Sequence, residues 1–437
     1  MAIESLQNHV GPWQMWPLYA LWEPSIGPRI VLVLAVVACG WFLHRHVMKV
    51  PRAAFLVIIL AFSCVFAVAV AIEGQGVKAD AKCCVAGGPA AQITAPFRDS
   101  DSYFANVPLV DRLGPRRFDQ SYPQLDQPPY ASLTIHALTH PPGAPLLLWA
   151  SDEIVGESLL GVCLLMIFLG ALSSIATYLI ALEIYGERAA RLAGLLFCVA
   201  PAIVLYLATS MDAVFMTIFA FDFAALVRAP RSNRWALVAG LLWAVALMFT
   251  FSAAAIAIVS VGIGLLSLRT RTLRDLAPRA VLVVAGLVGG LAILQVGLGI
   301  DTPAVWTATS AAHATLASTY RPYVYWVWAN LIAFALVAGI PQTALVLSEV
   351  SSRWRAHSPG LETVTLATLI VLTVSNVFKG EVDHIWLFMM PLVLAVAGNR
   401  LHALTQDEGM GSLEVRRALG VSVLQTVALQ VLLFTYW

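Results

Sequence analysis

The sequence predicts an all-α polytopic membrane protein with about 12 transmembrane helices and a large extracytoplasmic first loop. Composition, the length of the apolar runs and the placement of basic residues all support this prediction. About 59% of the 437 residues are hydrophobic and only 12% are charged, against about 25% charged residues in a soluble domain. A chain of this composition cannot cover itself with polar surface, so most of its side chains must face other helices or lipid.

Apolar runs of roughly 17 to 25 residues, long enough to cross the hydrocarbon core as helices, recur along the chain. The stretch between Leu237 and Leu268 is too long for one span, and we divide it into a helical hairpin at Thr250 to Ser252. We interpret Trp326 to Leu347 as one span. The remaining predicted spans begin near Ile30, Ala54, Leu159, Leu192, Asp212, Ala280, Val364, Ile385 and Val421.

Basic residues are unevenly divided between the loops that join these spans. One alternating set of mostly short connections holds most of the 26 Lys and Arg residues. Because cytoplasmic loops retain positive charge, we place this set in the cytoplasm. Both termini and the two long loops, 73–157 and 299–325, are then expected outside. The Trp-rich segment before Ile30 has a second interpretation, since it could lie flat in the membrane interface.

Charge and cysteine usage exclude several other classes of protein. A formal net charge of +1 argues against a nucleic-acid partner, which requires a concentrated basic surface. Four of the six cysteines fall inside predicted spans and are most simply packing residues. Cys83 and Cys84 are adjacent in the first outer loop, where a bond between them would be strained, so pairing with another chain and no pairing both remain open. None of the cysteines shows metal-ligand spacing.

The first outer loop contains two carboxylates separated by one residue. Asp99 and Asp101 are followed by Tyr103, some way after the second predicted span. A carboxylate at a membrane surface can act as a general base if it is positioned against the proton that it takes. A solvated Asp pair that caps a short helix is the alternative interpretation.

The same loop contains the sequence His140-Pro141-Pro142-Gly143, which leads into an apolar stretch. Consecutive prolines fix the backbone, so His140 is expected to be held rigidly at the mouth of the next apolar stretch. An ordinary turn from loop to helix would have the same sequence. Asp212 lies at another tight outer turn, after Ser210 and Met211, where it could equally be a helix cap.

A dense cluster of ionisable residues lies in the short outer turn between two late predicted spans. It runs from Lys379 through Glu381 and Asp383 to His384. Ionisable groups at such places are candidates for function by default. The alternative is that Lys379 extends to the interface and pairs with one of the neighbouring carboxylates.

In their order along the chain, these four segments resemble the GT-C class of polyprenyl-phosphate-sugar-dependent glycosyltransferases, which includes protein O-mannosyltransferases and the lipid A aminoarabinose transferase. Asp99, Asp101 and Tyr103 are similar to an acidic motif with a following Tyr in the first outer loop of these enzymes. The segment that begins at His140 resembles their Lys-Pro-Pro-Gly element, with His in place of Lys. Asp212 and the turn that contains Glu381 resemble later elements of the class.

The resemblance implies one GT-C-like transmembrane domain, 1–437, whose outer loop 73–157 is catalytic. The implied reaction transfers a sugar from a polyprenyl-phosphate donor to an envelope glycan, lipid or protein outside the plasma membrane. It implies that Asp99 or Asp101 is the general base, and we prefer Asp99 because it is nearer the end of the span. A lipid-linked donor carries its phosphate at the membrane surface, where cationic groups at the outer ends of spans are expected to bind it; these are Lys379, His384, His140 and Arg321.

Four further residues are expected to bind substrate, namely Tyr103, Asp212, Glu381 and Tyr320. No cofactor is required by the sequence. A divalent metal is possible at Asp99, Asp101 and Asp212, although carboxylates alone do not decide this.

Two other functions fit a chain with many spans. A transporter or lipid flippase is the first alternative, but the sequence has no duplicated halves and few charges at mid-span, where transporters bind coupling ions. A structural subunit of an envelope complex is the second, and it would need none of the ionisable clusters. The large and asymmetric outer loop favours an enzyme.

Overall fold

A computed structural model describes residues 15–73, 88–125, 132–317, 321–405 and 413–435. These residues are mostly helical. Along the first half of the chain the helices are α1 (Ile30–Val47), α2 (Arg52–Glu73), α3 (Pro89–Arg98), α4 (Val107–Leu113), α5 (Pro115–Ser121), α6 (Ile135–Leu138), α7 (Gly143–Val155), α8 (Leu159–Ala171), α9 (Ser173–Tyr185), α10 (Glu187–Val199), α11 (Pro201–Tyr206) and α12 (Asp212–Leu226).

The second half continues the same pattern. Its helices are α13 (Asn233–Leu247), α14 (Ala255–Ser267), α15 (Leu273–Leu298), α16 (Thr302–Ala317), α17 (Tyr323–Ala338), α18 (Ile340–Arg355), α19 (Leu361–Val374), α20 (Val382–Ile385), α21 (Met390–Leu404) and α22 (Leu413–Leu432). Two short strands, β1 (Ala20–Trp22) and β2 (Leu433–Thr435), flank the helices.

Within the described part of the chain, seven helical segments are long and apolar enough to cross a membrane. The bent pair α17 and α18 would make an eighth. The predicted fold class is therefore confirmed, and the chain is a multi-pass membrane protein. The predicted number of about 12 spans is not confirmed, because several apolar helices are shorter than a full span, such as α13 and α19.

The chain bends sharply inside the stretch that the sequence analysis treats as one span, Trp326 to Leu347. Helices α17 and α18 meet at Gly339 at an angle of 113°. Gly339 has a φ of +109°, which L-residues with a side chain rarely adopt, and Pro341 follows within the first turn of α18. A continuous helix through this point was therefore a wrong prediction. The predicted break at Thr250 is present, since α13 ends at Leu247 before it.

Contacts divide the chain into two compact units. The first unit combines residues 1–76, 167–227 and 321–437, and the second combines residues 77–166 and 228–320. In the first unit, α10 packs closely against α21. A side chain at Gly398 would lie 2.7 Å from the backbone nitrogen of Ala193, so only glycine permits this approach.

In the second unit, α13 and α15 pack through facing glycines. A Cβ atom at Gly240 would overlap the backbone of α15, and one at Gly286 would overlap the backbone of α13. Small residues of this kind let membrane helices approach to backbone contact. This unit also contains α14, α16 and the segment from α3 to α7, which includes most of the first outer loop of the sequence prediction.

Strands β1 and β2 pair antiparallel, with Ala20 opposite Thr435 and Trp22 opposite Leu433. The segment before β1 packs on α17 of the same unit, where the rings of Trp16 and Trp326 meet edge to face with centroids 4.9 Å apart. This strand pair brings the segment before the first helix and the end of the last helix together.

Candidate functional site

The predicted base lies in a turn directly after α3. This helix ends at Arg98, and Asp99 leaves it with an extended backbone. Oδ1 of Asp99 accepts a hydrogen bond of 2.8 Å from the backbone nitrogen of Asp101. Asp99 is half-buried and Asp101 is exposed. Asp99 therefore uses one oxygen to close the turn rather than to cap the start of a helix, and its other oxygen has no protein partner within the described ranges.

The turn that carries Asp99 is tied to the rest of the second unit by buried polar contacts. The hydroxyl of Ser102 donates to the carbonyl oxygen of Phe97 at 3.0 Å. Thr134 donates to the carbonyl oxygen of Ser102 at 3.2 Å and accepts from the amide of Asn106 at 2.6 Å. These bonds hold the turn in one geometry, which a positioned general base requires.

Tyr103 packs against two histidines. Its ring centroid lies 5.6 Å from that of His136 and 5.8 Å from that of His140, and the second pair is edge to face. Tyr103 and His140 were both predicted from the sequence as site residues, whereas His136 was not. The sequence does contain a signal for His136, because it precedes His140 by four residues, the spacing at which side chains share a helix face.

The Pro-Pro-Gly element has a packing role that explains its glycine. The backbone nitrogen of Gly143 donates to the carbonyl oxygen of Met248 at 2.8 Å, and a Cβ atom at Gly143 would lie 2.5 Å from that oxygen. The hydroxyl of Tyr122 donates to the carbonyl oxygens of Ala137 and His140, at 2.5 and 3.0 Å. His140 is thus held at the entrance to α7, as the sequence predicted.

A buried carboxylate that the sequence analysis missed lies in α5. Asp119 is fully buried, and neither of its side-chain oxygens has a hydrogen-bond partner in the described part of the chain. Burial raises the pKa of Asp119 to about 8. Burial, together with the nearby Asp119 carboxyl, also raises the pKa of the Tyr122 hydroxyl well above its ordinary value. Tyr122 holds His140 through a hydrogen bond to its carbonyl oxygen. Asp119 acts electrostatically on Tyr122, so it lies close to a residue that stabilises this part of the loop.

The first unit contains the second group of predicted residues. Asp212 begins α12, where its negative charge is favourable to the helix dipole. Oδ2 of Asp212 lies 2.8 Å from Nδ1 of His384 and accepts a hydrogen bond of 2.8 Å from the hydroxyl of Ser210. The side chain of His384 is buried, whereas that of Asp212 is 19% exposed. Two residues that are 172 positions apart in sequence, and that were both predicted from sequence, are therefore in direct contact.

A second carboxylate of the predicted ionisable cluster, Asp383, lies beside this pair, although the sequence analysis gave it no specific role. Asp383 is buried, and its Oδ2 accepts a hydrogen bond of 2.7 Å from the hydroxyl of Tyr206. The ring of Tyr206 also packs against His384, with centroids 5.8 Å apart. Tyr206 lies within an apolar helix, so nothing in the sequence distinguished it from the core.

The turn before α20 is strained and ion-paired. Gly380 and Glu381 are consecutive residues with positive φ, of +97° and +60°. A non-glycine residue held in this region costs about 1 to 3 kcal/mol, and such strain occurs often at functional sites. Arg321 forms an ion pair with Glu381 and donates to the carbonyl oxygen of Lys379 at 2.9 Å. The amide of Asn330 binds the carbonyl oxygen of Phe378 and the nitrogen of Gly380.

Within the described ranges, the ammonium group of Lys379 has no carboxylate partner. Glu381 pairs with Arg321, and Asp383 accepts from Tyr206. The pairing that the alternative interpretation expected for Lys379 is therefore absent from this part of the chain. Tyr320, also predicted to bind substrate, lies outside the described residues.

The predicted residues thus form two groups. Asp99, Asp101, Tyr103 and His140 lie in the second unit, whereas Lys379, Glu381, His384, Asp212 and Arg321 lie in the first. Over the described ranges, no group of three or more His, Cys, Asp or Glu side chains is arranged to hold a metal ion. Of the three carboxylates considered for a divalent metal, Asp99 and Asp101 lie in the second unit and Asp212 lies in the first.

Comparison with known proteins places this arrangement in a fold class. Residues 139–295 match the family described as dolichyl-phosphate-mannose-protein mannosyltransferase. ArnT from Cupriavidus metallidurans bound to undecaprenyl phosphate is similar in structure, with a TM-score of 0.52 and 14% identity, over 80% of this chain and 60% of that one. The chain has the GT-C fold.

A second structure with the GT-C fold is also similar. The oligosaccharyltransferase of Archaeoglobus fulgidus, in complex with Zn and sulfate, has a TM-score of 0.51 and 14% identity, over 85% of this chain and 53% of that one. This chain thus spans between half and two thirds of the length of these structures. No curated protein sequence matches it significantly. The family match includes His140 and Asp212 but neither Asp99 nor Lys379.

Proposed function

We propose that this protein is a glycosyltransferase of the plasma membrane that moves a sugar from a polyprenyl-phosphate donor to an acceptor in the cell envelope. The observation that carries the proposal is a lysine without a protein partner among the described residues, Lys379, beside a strained turn on a GT-C fold. The similar ArnT structure holds undecaprenyl phosphate, and the matching family is named for a lipid-phosphate sugar donor.

The donor phosphate is proposed to bind at the turn before α20. Lys379 offers three N–H donors there, and the side chain of Arg321 contacts the same turn through the carbonyl oxygen of Lys379. Hydrogen bonds between an ammonium group and a phosphate oxygen are among the stronger ones in proteins. His384 follows this turn within α20, and its Nδ1 atom is held at 2.8 Å from Oδ2 of Asp212, which fixes the ring. Glu381 is expected to compete with the phosphate for Arg321.

The acceptor is proposed to react at the loop 73–157, with Asp99 as the base. The acceptor hydroxyl oxygen forms a bond to the anomeric carbon, and the bond from that carbon to the phosphate oxygen breaks. The hydroxyl proton moves to a carboxylate oxygen of Asp99. The electron pair of the broken bond stays on the phosphate, where a nearby positive charge would stabilise it. Tyr103 and His140 are proposed to border the sugar, and His140 is also a second candidate for the phosphate.

The class of sugar and acceptor is the finer part of the proposal. We propose a hexose or a pentose as the transferred sugar and an envelope glycan, lipid or protein as the acceptor. The loops 73–157 and 299–325 are proposed to face the outside, in agreement with the distribution of Lys and Arg.

Deletion of the gene is expected to make the unused donor accumulate. Mass spectrometry of extracted lipids should then show one polyprenyl-phosphate sugar at a higher level than in the parent strain, and the same sugar should be missing from an envelope glycan. A plasmid copy of the gene should restore both. Unchanged lipid-linked sugars and unchanged envelope glycans in the deletion strain would contradict the proposed function.

Lys379→Ala is expected to weaken the binding of a polyprenyl phosphate by about ten- to a hundredfold. The reason is the loss of a charge-assisted hydrogen bond, which contributes about 1.5 to 3 kcal/mol where water is partly excluded. Titration of the purified enzyme with the lipid measures the effect. Lys379→Arg keeps the positive charge and should lose less affinity than Lys379→Ala.

Arg274→Ala provides a matched control, because it removes an exposed cation from a different loop. It should leave the affinity for the lipid unchanged. If the Lys379→Ala protein binds as tightly as the parent, Lys379 is not a phosphate ligand, and the role would pass to His384, Arg321 or His140.

A further inference from the structure

An apolar cavity of about 320 Å³ lies within the first unit, among α1, α2, α10 and α22. Its volume is at the lower end of the range for ligand pockets, about 300 to 1,000 Å³. Helix α1 contributes residues at helical spacing, including Leu34, Trp41 and His44, and α22 contributes Leu419 and Gly420. The walls are almost wholly hydrocarbon, so the occupant of the cavity must present an apolar chain.

One polar side chain of this cavity is buried without a full set of partners. His44 is only 7% exposed. Its Nδ1 bonds to the carbonyl oxygen of Trp41, which accepts, so the neutral ring carries its proton on Nδ1. Its Nε2 is then an acceptor, and this atom is buried with no hydrogen-bond partner in the described residues. A buried acceptor of this kind indicates that a ligand hydroxyl belongs next to it.

Basic residues lie at the same end of these helices as His44. Arg45 follows it directly, and the exposed Lys49 comes just after the end of α1. On α22, Arg416 precedes Leu419 by three residues and Gly420 by four, so all three lie on one helix face. The Nε atom of Arg416 is buried and has no partner within the described ranges. This rim therefore matches a ligand with a negative charge at one end of its apolar chain.

We propose that this cavity binds one anionic phospholipid with a hydroxylated headgroup, of the phosphatidylglycerol class. Its acyl chain fills the space between α1, α2 and α22. A headgroup hydroxyl donates to Nε2 of His44, and the phosphate lies against Arg45, Lys49 and Arg416. The distribution of Lys and Arg predicts that this rim is cytoplasmic, so the lipid belongs to the inner leaflet.

This lipid site differs in location and chemistry from the proposed donor site. The residues that line its cavity come from 34–66, 195–199 and 419–427, whereas the proposed donor residues lie at 212, 321 and 379–384. A polyprenyl phosphate also combines a long apolar chain with negative charge. It is therefore a competing occupant that an experiment can distinguish.

Native mass spectrometry of the full-length protein is the test. The protein is placed in nanodiscs of phosphatidylcholine that contain a minor fraction of phosphatidylglycerol, then released, and the retained lipids are counted. The parent protein is expected to retain one phosphatidylglycerol molecule and at least about fivefold less phosphatidylcholine. One contact between a basic side chain and an anionic headgroup contributes about 1 kcal/mol, which corresponds to a ratio of about five in affinity. If the protein retains the two lipids in the same ratio as they are present in the nanodisc, the proposal is overturned.

Two variants at one position test the cavity itself. A Cβ atom at Gly420 would lie 3.6 Å from the ring of Trp41, an ordinary contact, so Gly420→Ala is expected to retain the lipid. Gly420→Leu fills the cavity and should retain at least about fivefold less phosphatidylglycerol. Both substitutions favour helix, and equal thermal unfolding of the two proteins would show that the fold is intact. Equal lipid retention by both would contradict a site in this cavity.

The rim is tested without changing the cavity. The double variant Arg45→Gln, Lys49→Gln changes two exposed side chains and should lose the preference for phosphatidylglycerol over phosphatidylcholine. The matched double variant Arg271→Gln, Arg274→Gln, in another basic loop, should keep it. Stoichiometric displacement of phosphatidylglycerol by added undecaprenyl phosphate would assign the cavity to the donor and overturn the proposal.

Discussion

Asp99→Asn is expected to lower the rate of sugar transfer by about a hundredfold to ten-thousandfold while the protein stays folded in the membrane. The amide keeps the shape of the carboxylate and can still accept the hydrogen bond from the backbone nitrogen of Asp101. It cannot take the proton of the acceptor hydroxyl. The rate is measured with the purified enzyme and its lipid-linked donor.

Asp101→Asn is the matched control, because it changes an exposed carboxylate two residues away in the same turn. It should retain most of the activity. Loss of activity in Asp101→Asn with activity preserved in Asp99→Asn would exchange the two roles. Full activity in both variants would show that neither carboxylate is the base. Affinity for polyprenyl phosphate should be the same in all three proteins, since the base acts on the acceptor.

Asp119→Asn is expected to stabilise the protein at pH 8 and to change little at pH 4. The pKa of Asp119 in the folded chain is about 8, against 3.8 for the ordinary group. Below pH 4 the carboxyl is mostly protonated in both the folded and the unfolded chain, so folding buries no charge at this position. As the pH rises from 4 to 8 only the unfolded chain loses the proton, so stability falls, by up to about 6 kcal/mol at about 1.4 kcal/mol per pKa unit.

Thermal unfolding of the parent and the Asp119→Asn protein between pH 4 and pH 8.5 measures this effect. The melting temperature of the parent should fall as the pH rises, and that of the variant should fall less, with a difference of roughly 5 to 10 °C at pH 8. Asp101→Asn removes an exposed carboxylate of the same unit and should follow the parent. Parallel curves for the parent and Asp119→Asn would show that Asp119 is ionised in the folded protein at neutral pH.

The sequence predicted the membrane class and the helical fold because apolar runs have a length that only a bilayer explains. It predicted the break at Thr250 from length alone. It did not predict the bend at Gly339, because one glycine followed by Pro341 is a local signal inside a continuous apolar run. The same limit applies to α13 and α19, whose hydrophobicity resembles that of a span although each helix is short.

The candidate site was predictable residue by residue but not as a set of contacts. Asp212 and His384 each stood out as an ionisable group at the end of a span, yet their contact depends on how helices pack over a long sequence separation. Tyr206 and Asp119 were missed for a different reason. A tyrosine in an apolar helix resembles the core, and a lone Asp in a polar loop resembles the surface, so only burial distinguishes either residue.

The pairing of β1 with β2 also has a consequence for biosynthesis. More than 400 residues separate Ala20 from its partner Thr435, so β1 cannot pair until nearly every helix has been synthesised and inserted. The contacts of the neighbouring segment, in which Trp16 lies on Trp326 and Tyr19 lies under Arg321, are therefore among the last to form. Arg321 also forms an ion pair with Glu381 in the turn before α20. During synthesis this ion pair can therefore form before the ring of Tyr19 packs against Arg321.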